Sequence, residues 1–213
     1  MTNSLTDNIA NTSVVHKYDF WVLWIAANAT GTVLGTITFY IVALFLGFFG
    51  SPSLPGQQSN LEVAWNRVVG DFQAFMPFGA LIGIMQWLVL RKYVAKSGLW
   101  FLTSAIAMFI GNAVSDVLPL FFHLRPIATE LFLSWFFFGS ISGLLQWMLL
   151  RKQVRYAGWW IVANLLAGIL AGILFADDLG LIGGCLGWAF SGIITGGVMF
   201  FLIQKKLDRL NIA

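Results

Sequence analysis

The sequence predicts an all-α integral membrane protein in which six transmembrane helices form three tandem αα-hairpin repeats, with both termini cytoplasmic. Three observations predict this class. Apolar residues make up 59% of the chain and charged residues 10%, whereas a soluble domain has about 25% charged residues. Six apolar runs reach the roughly 20 residues that cross a bilayer core of about 30 Å. A patterned segment also occurs twice, with a spacing of 60 residues.

The composition excludes several other classes of protein. With 12 basic and 9 acidic residues among 213, the chain has too few charges to cover a water-facing surface, which excludes a cytosolic enzyme and a secreted disulfide scaffold. The basic residues lie at the ends of apolar runs, so the net charge of +3 does not indicate a nucleic-acid partner. His16 and His123 fall on opposite sides of a six-span topology, and Cys185 is the lone cysteine. We therefore predict no metal site.

The apolar runs define the helices in order. The first 17 residues are polar and lack a basic start with a cleavage site, so they are predicted to be a cytoplasmic N-terminus and not a signal peptide. Residues 207–213 form the matching C-terminus. The six predicted helices cover 20–49, 73–91, 98–120, 131–151, 157–176 and 180–204.

Lys and Arg residues predict the orientation. Arg67 and Arg125 fall on one side of the six-span topology. The other ten basic residues fall on the opposite side: Lys17, Arg91, Lys92, Lys96, Arg151, Lys152, Arg155, Lys205, Lys206 and Arg209. Because cytoplasmic loops carry the excess of Lys and Arg, this bias places both termini in the cytoplasm.

The repeated segment has the pattern G-x-x-x-G-x-x-Q-W-x-x-L-R-K, at residues 79–92 and again at 139–152. The sixth helix has a degenerate copy, with Met199 at the Gln position. These copies divide the chain into repeats at 18–92, 93–152 and 153–206. Small residues allow close helix contact, and the predicted packing positions are Gly79, Gly83, Gly139, Gly143, Gly192 and Gly196. Tryptophans are predicted to form a belt at the cytoplasmic interface, namely Trp24, Trp87, Trp100, Trp147 and Trp160.

The outer loop, residues 50–72, follows the first helix. Its segment Ser51–Gly56 contains two prolines and breaks the helix, and Ser59 to Glu62 has the pattern of a capping box. Residues 60–72 are therefore predicted to be a short amphipathic helix on the outer membrane surface. The alternative is that they run into the second helix, with a kink at Pro77.

Polar side chains at one depth form the candidate functional site. Gln86 and Gln146 each precede an arginine by five residues, which places them about 7–8 Å along the helix from it. Asn28, Asn164 and Ser104 are predicted at a similar depth. The favoured interpretation is interhelical hydrogen bonding. The alternative is a ligand site for a lipid headgroup or a tetrapyrrole magnesium, for which Gln146 is the stronger candidate.

A second polar group is predicted at the outer helix ends. It comprises Asp116, Glu130, Asp177 and Asp178. Acids inside a membrane often mark ion pathways, but these lie at predicted helix ends. The favoured interpretation is that water solvates them.

The paired G-x-x-x-G-x-x-Q-W-x-x-L-R-K segments, each followed by a helix that starts at Trp, resemble a loose group of uncharacterised multi-pass membrane proteins of cyanobacteria and other bacteria. The resemblance covers about residues 79–172. It brings no established activity. It implies a bacterial inner membrane or a thylakoid membrane as the location.

Three functions fit these observations. The first is a non-enzymatic membrane subunit, which packs against membrane lipid and a partner membrane protein or a second copy of itself, and holds a lipid or pigment. The alternative is a small-solute transporter component, similar to the substrate-binding subunits of energy-coupling-factor transporters. The third is an intramembrane enzyme, for which the sequence contains no recognisable catalytic motif.

Overall fold

The computed structural model describes the backbone of residues 3–49, 60–95, 97–122, 127–176 and 180–210, and the side chains of 19–45, 61–95, 97–119, 131–174 and 186–206. Within these ranges the chain forms α-helices and contains no strand. A short 3-10 helix, Ser97–Leu99, precedes the third helix. The helices are α1 (Asn3–Phe49), α2 (Asn60–Leu90), α3 (Trp100–Phe122), α4 (Ile127–Leu150), α5 (Gly158–Ala176) and α6 (Gly180–Leu210).

Five of the six helices are long and apolar enough to cross a membrane. Their apolar spans are Asp19–Phe45, Leu61–Leu90, Ser97–Pro119, Leu131–Leu150 and Leu186–Lys206. In α5 the described apolar stretch, Gly158–Leu174, is shorter. The all-helical prediction is confirmed for the described residues, in which five helices have the length and composition of membrane spans, consistent with the predicted membrane protein.

Residues 60–72 do not form a separate helix in the outer loop. They belong to α2, which runs for 31 residues from Asn60 to Leu90 with Pro77 inside it. The helix is therefore about 46 Å long, which exceeds the thickness of a bilayer core. The capping pattern before Glu62 thus marks the start of the second transmembrane helix, and of the two predicted arrangements the structure has the continuous one. Likewise α1 begins at Asn3, so the polar N-terminal segment continues the first helix.

The helices form a closed ring. Each helix packs against its neighbours in the sequence, and α6 packs against α1. Glycines bring the backbones together: a Cβ atom on Gly79 would lie 2.6 Å from the Ser104 carbonyl oxygen, and one on Gly83 would lie 2.5 Å from the Phe101 Cα atom. Gly79 and Gly83 therefore leave no room for a side chain on the face of α2 toward α3.

The two later even-numbered helices use equivalent glycines. A Cβ atom on Gly139 would collide with the Asn164 carbonyl oxygen, and one on Gly143 would lie 2.9 Å from Asn164 Cβ, so this face of α4 meets α5. On α6, a Cβ atom on Gly196 would lie 2.7 Å from Trp24 Cδ1 on α1. The contact at Gly192 is looser, 3.5 Å from Asn28 Cβ. The ring thus closes through the third glycine pair.

Three of the tryptophans predicted for an interfacial belt lie in the core instead. Trp24, Trp100 and Trp160 are at most 1% exposed. The belt prediction is wrong for these three, because each lies on the face of an odd-numbered helix that points into the ring, where the three side chains contact one another. Trp87 and Trp147 are half-buried, and the guanidinium groups of the arginines four residues later lie 5.9 and 5.2 Å from their rings.

Candidate functional site

The three core tryptophans meet at the centre of the bundle. The ring centroids of Trp100 and Trp160 are 5.5 Å apart, and that of Trp24 lies 6.5 and 5.9 Å from them. The three side chains come from α1, α3 and α5, so each odd-numbered helix contributes one indole. An indole N–H buried in apolar surroundings requires an acceptor, and the even-numbered helices supply it.

Two of these acceptors are the predicted glutamines. Trp100 Nε1 donates to Gln86 Oε1 over 2.8 Å, and Trp160 Nε1 donates to Gln146 Oε1 over 2.9 Å. The glutamine Nε2 groups then donate to the preceding odd-numbered helix. Gln86 donates to Asn28 Oδ1 over 2.8 Å, and Gln146 donates to Ser104 Oγ over 3.0 Å. Each glutamine therefore joins three helices.

The third tryptophan uses a residue that the sequence reasoning missed. Trp24 Nε1 donates to Thr195 Oγ1 over 3.1 Å, while Met199, at the Gln position, is fully buried among apolar side chains. Thr195 lies one helical turn before Met199 and donates its own hydroxyl to the Ser191 carbonyl oxygen over 2.7 Å. A threonine one turn earlier thus performs the acceptor role of the missing glutamine.

The polar residues of the odd-numbered helices bond to their own backbone. Asn28 Nδ2 donates to the Trp24 carbonyl oxygen over 2.8 Å, Ser104 Oγ to Trp100 over 3.0 Å, and Asn164 Nδ2 to Trp160 over 2.9 Å. The structure therefore brings all five predicted residues of the layer together, at one level of the bundle. We call this group, with Thr195, the polar layer.

The polar layer surrounds a small cavity. Its lining includes Ser142 as well as the polar layer itself. The space available to the centre of a water molecule is about 20 Å³, which suffices for about one water molecule. Pockets that hold small organic ligands measure about 300–1,000 Å³. The cavity therefore has room for a water molecule but not for a lipid headgroup or a tetrapyrrole ring.

A second, larger space lies on the outside of the ring, between α1, α2 and α3. It is an open groove of about 670 Å³. The side chains along it are apolar apart from Gln73: Val42, Phe45, Phe72, Met76, Pro77, Ala80, Phe101, Leu102 and Ala105. We call it the α1–α3 groove. The sequence reasoning missed it, because it depends on how three helices pack together.

The turns at the basic end of the bundle are tied to one another. Gln153, in the turn after α4, donates from Nε2 to the Ala95 carbonyl oxygen and accepts the Ala95 N–H at Oε1, both over 2.8 Å. Lys206 Nζ, on α6, donates to the Tyr93 carbonyl oxygen over 2.7 Å. The turn between α2 and α3 is therefore held by contacts from two other parts of the chain.

Asp116 is the one member of the predicted outer acidic group whose side chain is described. It is half-buried, and its carbonyl oxygen accepts a hydrogen bond from Arg67 over 3.3 Å. The side chain of Glu130 and the whole of Asp177 and Asp178 lie outside the described residues. The structure adds Asp71, which is 6% exposed. Its position in a long amphipathic stretch gave no sign of this burial.

Comparison of the chain with protein-family models, with curated proteins and with solved structures finds no match.

Proposed function

We propose that this chain is a non-enzymatic membrane subunit that packs against a partner membrane protein and holds the hydrocarbon tail of a lipid or pigment. The contrast between the two spaces in the bundle carries the proposal. The centre is filled and internally hydrogen-bonded, and its cavity has about 20 Å³ of room. The α1–α3 groove, at about 670 Å³, opens toward the surrounding membrane.

The bonding within the polar layer supports a structural role for its amides. Both glutamines use their oxygen and their nitrogen in interhelical bonds. A ligand that took one of these bonds would leave a buried indole N–H or hydroxyl without its partner, at a cost of about 1–3 kcal/mol. The polar layer therefore serves to fix the mutual positions of the helices.

The α1–α3 groove suits a hydrocarbon tail. Its lining is almost entirely aliphatic and aromatic, with Gln73 as the single polar side chain. In a membrane, water does not compete for such a surface, so the gain comes from contacts of the tail with the groove wall. This apolar lining fits both the acyl chain of a lipid and the isoprenoid chain of a pigment.

The proposal includes the repeat architecture. We infer three αα-hairpins, α1–α2, α3–α4 and α5–α6, because equivalent bonds recur: the Trp–Gln pairs Trp100–Gln86 and Trp160–Gln146 each span 14 residues. The close glycine contacts of α2 and α4 also recur at equivalent positions. The basic residues support cytoplasmic termini, and a bacterial inner membrane or a thylakoid membrane is the proposed location.

The alternative function is a small-solute transporter component. Such a protein needs a polar site of solute size near the middle of the membrane. The polar layer is the matching feature, and its small cavity favours the subunit function over this one. The third possibility, an intramembrane enzyme, stays a prediction; the described residues contain no group of three His, Cys, Asp or Glu side chains that could hold a catalytic metal ion.

Purification from the native membrane tests the proposal. We expect a lipid or pigment, and a partner membrane protein, to co-purify in a fixed ratio, as measured by absorbance and mass spectrometry. Ala80→Leu fills the α1–α3 groove and should remove the bound tail. Ala26→Leu is the matched control, because Ala26 is exposed on α1 away from the groove. Equal ligand content in both variants would contradict the groove assignment, and a chain that purifies without ligand or partner would contradict the function.

A further inference from the structure

Asp71 is a buried acid inside a membrane-spanning helix. It lies on α2, is 6% exposed, and its Oδ2 atom has no hydrogen-bond partner among the described residues. Buried side-chain oxygens are normally hydrogen-bonded, and an ionised carboxylate without a partner is costly to bury. Every other buried side-chain nitrogen or oxygen in the described part of the chain has a hydrogen-bond partner. The orphaned oxygen therefore needs an explanation.

The position of Asp71 along α2 places it near one membrane surface. It precedes Arg91 by 20 residues, or about 30 Å of helix, which is the thickness of a bilayer core. Because Arg91 belongs to the basic end, Asp71 lies at the opposite end of the bundle. A solvent proton can thus reach the region of this carboxyl group from the adjacent aqueous phase.

Two charged groups of the described residues act on Asp71, one acidic and one basic. Asp116 on α3 and Arg67 on α2 both act on Asp71 electrostatically. The other described acid in this half of α2 is Glu62, and Tyr40 is the titratable side chain in the corresponding half of α1. The described spans of α4, α5 and α6 contribute no acid or base at this end. Among the described residues, Arg67 is therefore the one positive charge that acts on Asp71, beside the carboxyl group of Asp116.

We propose that Asp71 is a proton-binding site, which carries a proton when the bundle is packed as described and releases it at higher pH. A proton needs one oxygen, and Asp71 Oδ2 provides it. A metal ion needs several oxygen ligands, and the described residues contain no group of three acidic, histidine or cysteine side chains that could hold one. Asp71 itself lines neither the central cavity nor the α1–α3 groove.

Thermal unfolding of the purified chain in detergent, measured from pH 5 to pH 9, tests this site. Since the proton removes a buried negative charge from the folded state, we expect the wild-type Tm to fall by about 5 °C or more as the pH rises, on the scale typical of a chain of this size. Asp71→Asn keeps the shape of the protonated acid and removes the charge. It should abolish this part of the fall. Asp19→Asn, which changes an exposed acid at the start of the apolar span of α1, should keep the wild-type profile.

Two results would overturn the proposal. One is an unchanged pH profile in Asp71→Asn. The other is a wild-type Tm that rises when NaCl replaces choline chloride at constant ionic strength, together with the loss of this rise in Asp71→Asn. That result would show that the site binds sodium and not a proton. If the variant fails to fold, infrared spectra of the wild-type chain still decide the matter. The carbonyl band of a protonated carboxyl group should be present at pH 5, disappear toward pH 9 and survive Asp116→Asn, whereas its absence at pH 5 contradicts the proposal.

Discussion

Replacing each glutamine of the polar layer by methionine should have unequal effects on stability. Gln86→Met and Gln146→Met make the same change, because methionine retains the length of glutamine and lacks its hydrogen-bonding groups. Each removes two interhelical bonds. We predict that Gln86→Met destabilises the bundle more than Gln146→Met. The two sites differ in the residue that lies one helical turn before the glutamine.

Thr195 lies four residues before Met199 on α6. The residue four positions before Gln86 is Ile82, and the residue four positions before Gln146 is Ser142. Thr195 accepts the indole N–H of Trp24 beside a methionine, so Ser142 can accept the Trp160 N–H in the same way once Gln146 is gone. Ile82 cannot do this for Trp100.

The size of the difference follows from the bonds that remain. Gln86→Met leaves the fully buried Trp100 N–H without an acceptor, which costs about 1–3 kcal/mol. In Gln146→Met the Ser142 hydroxyl recovers most of this amount. The two variants should therefore differ by about 1–2 kcal/mol in free energy of unfolding, or about 2–8 °C in Tm for a chain of this length.

Thermal unfolding in detergent, followed by tryptophan fluorescence, measures the difference, and ligand content measured beside it separates the two interpretations of the amides. A third variant, Gln86→Met with Ile82→Thr, recreates the arrangement of α6 and should recover part of the lost stability. Equal losses in Gln86→Met and Gln146→Met, with no recovery in the double variant, would refute the acceptor argument. Loss of a bound ligand from Gln146→Met at an unchanged Tm would show instead that the amide binds that ligand.

The remaining predictions concern packing and topology. Gly83→Ala should lower the Tm, because the new Cβ would lie 2.5 Å from a backbone atom of α3. Gly197→Ala is the control, because nothing lies within 4 Å of the new Cβ, and it should leave the Tm unchanged or raise it. Equal effects of the two substitutions would show that the Gly83 contact does not hold the helices together. In a Cys185→Ala background, Leu5→Cys and Leu210→Cys should both resist a membrane-impermeant thiol reagent in intact cells. Labelling of either residue from outside would contradict the cytoplasmic termini.

The sequence alone predicted the helical class of the protein and the grouping of its polar residues at one level along the helices. Run length and the scarcity of charge predict membrane helices, because a bilayer tolerates only segments that satisfy their own backbone hydrogen bonds. The distance of Gln86 and Gln146 from the basic residues is a matter of helical rise along one chain. Both are local properties, so both could be predicted from periodicity, and the structure indeed brings the five predicted polar residues together.

The tertiary structure decided which groups satisfy one another. Trp24 looks like an interfacial anchor in the sequence, and only the closure of α6 against α1 shows that it is buried and bonded to Thr195. Asp71 resembles the other acids of the outer end in the sequence, and only the structure shows that it is buried and that its Oδ2 atom has no hydrogen-bond partner among the described residues. Burial and hydrogen bonding across helices depend on contacts between residues that are distant in the chain, such as Trp24 and Thr195, which are 171 positions apart, and no local pattern encodes them.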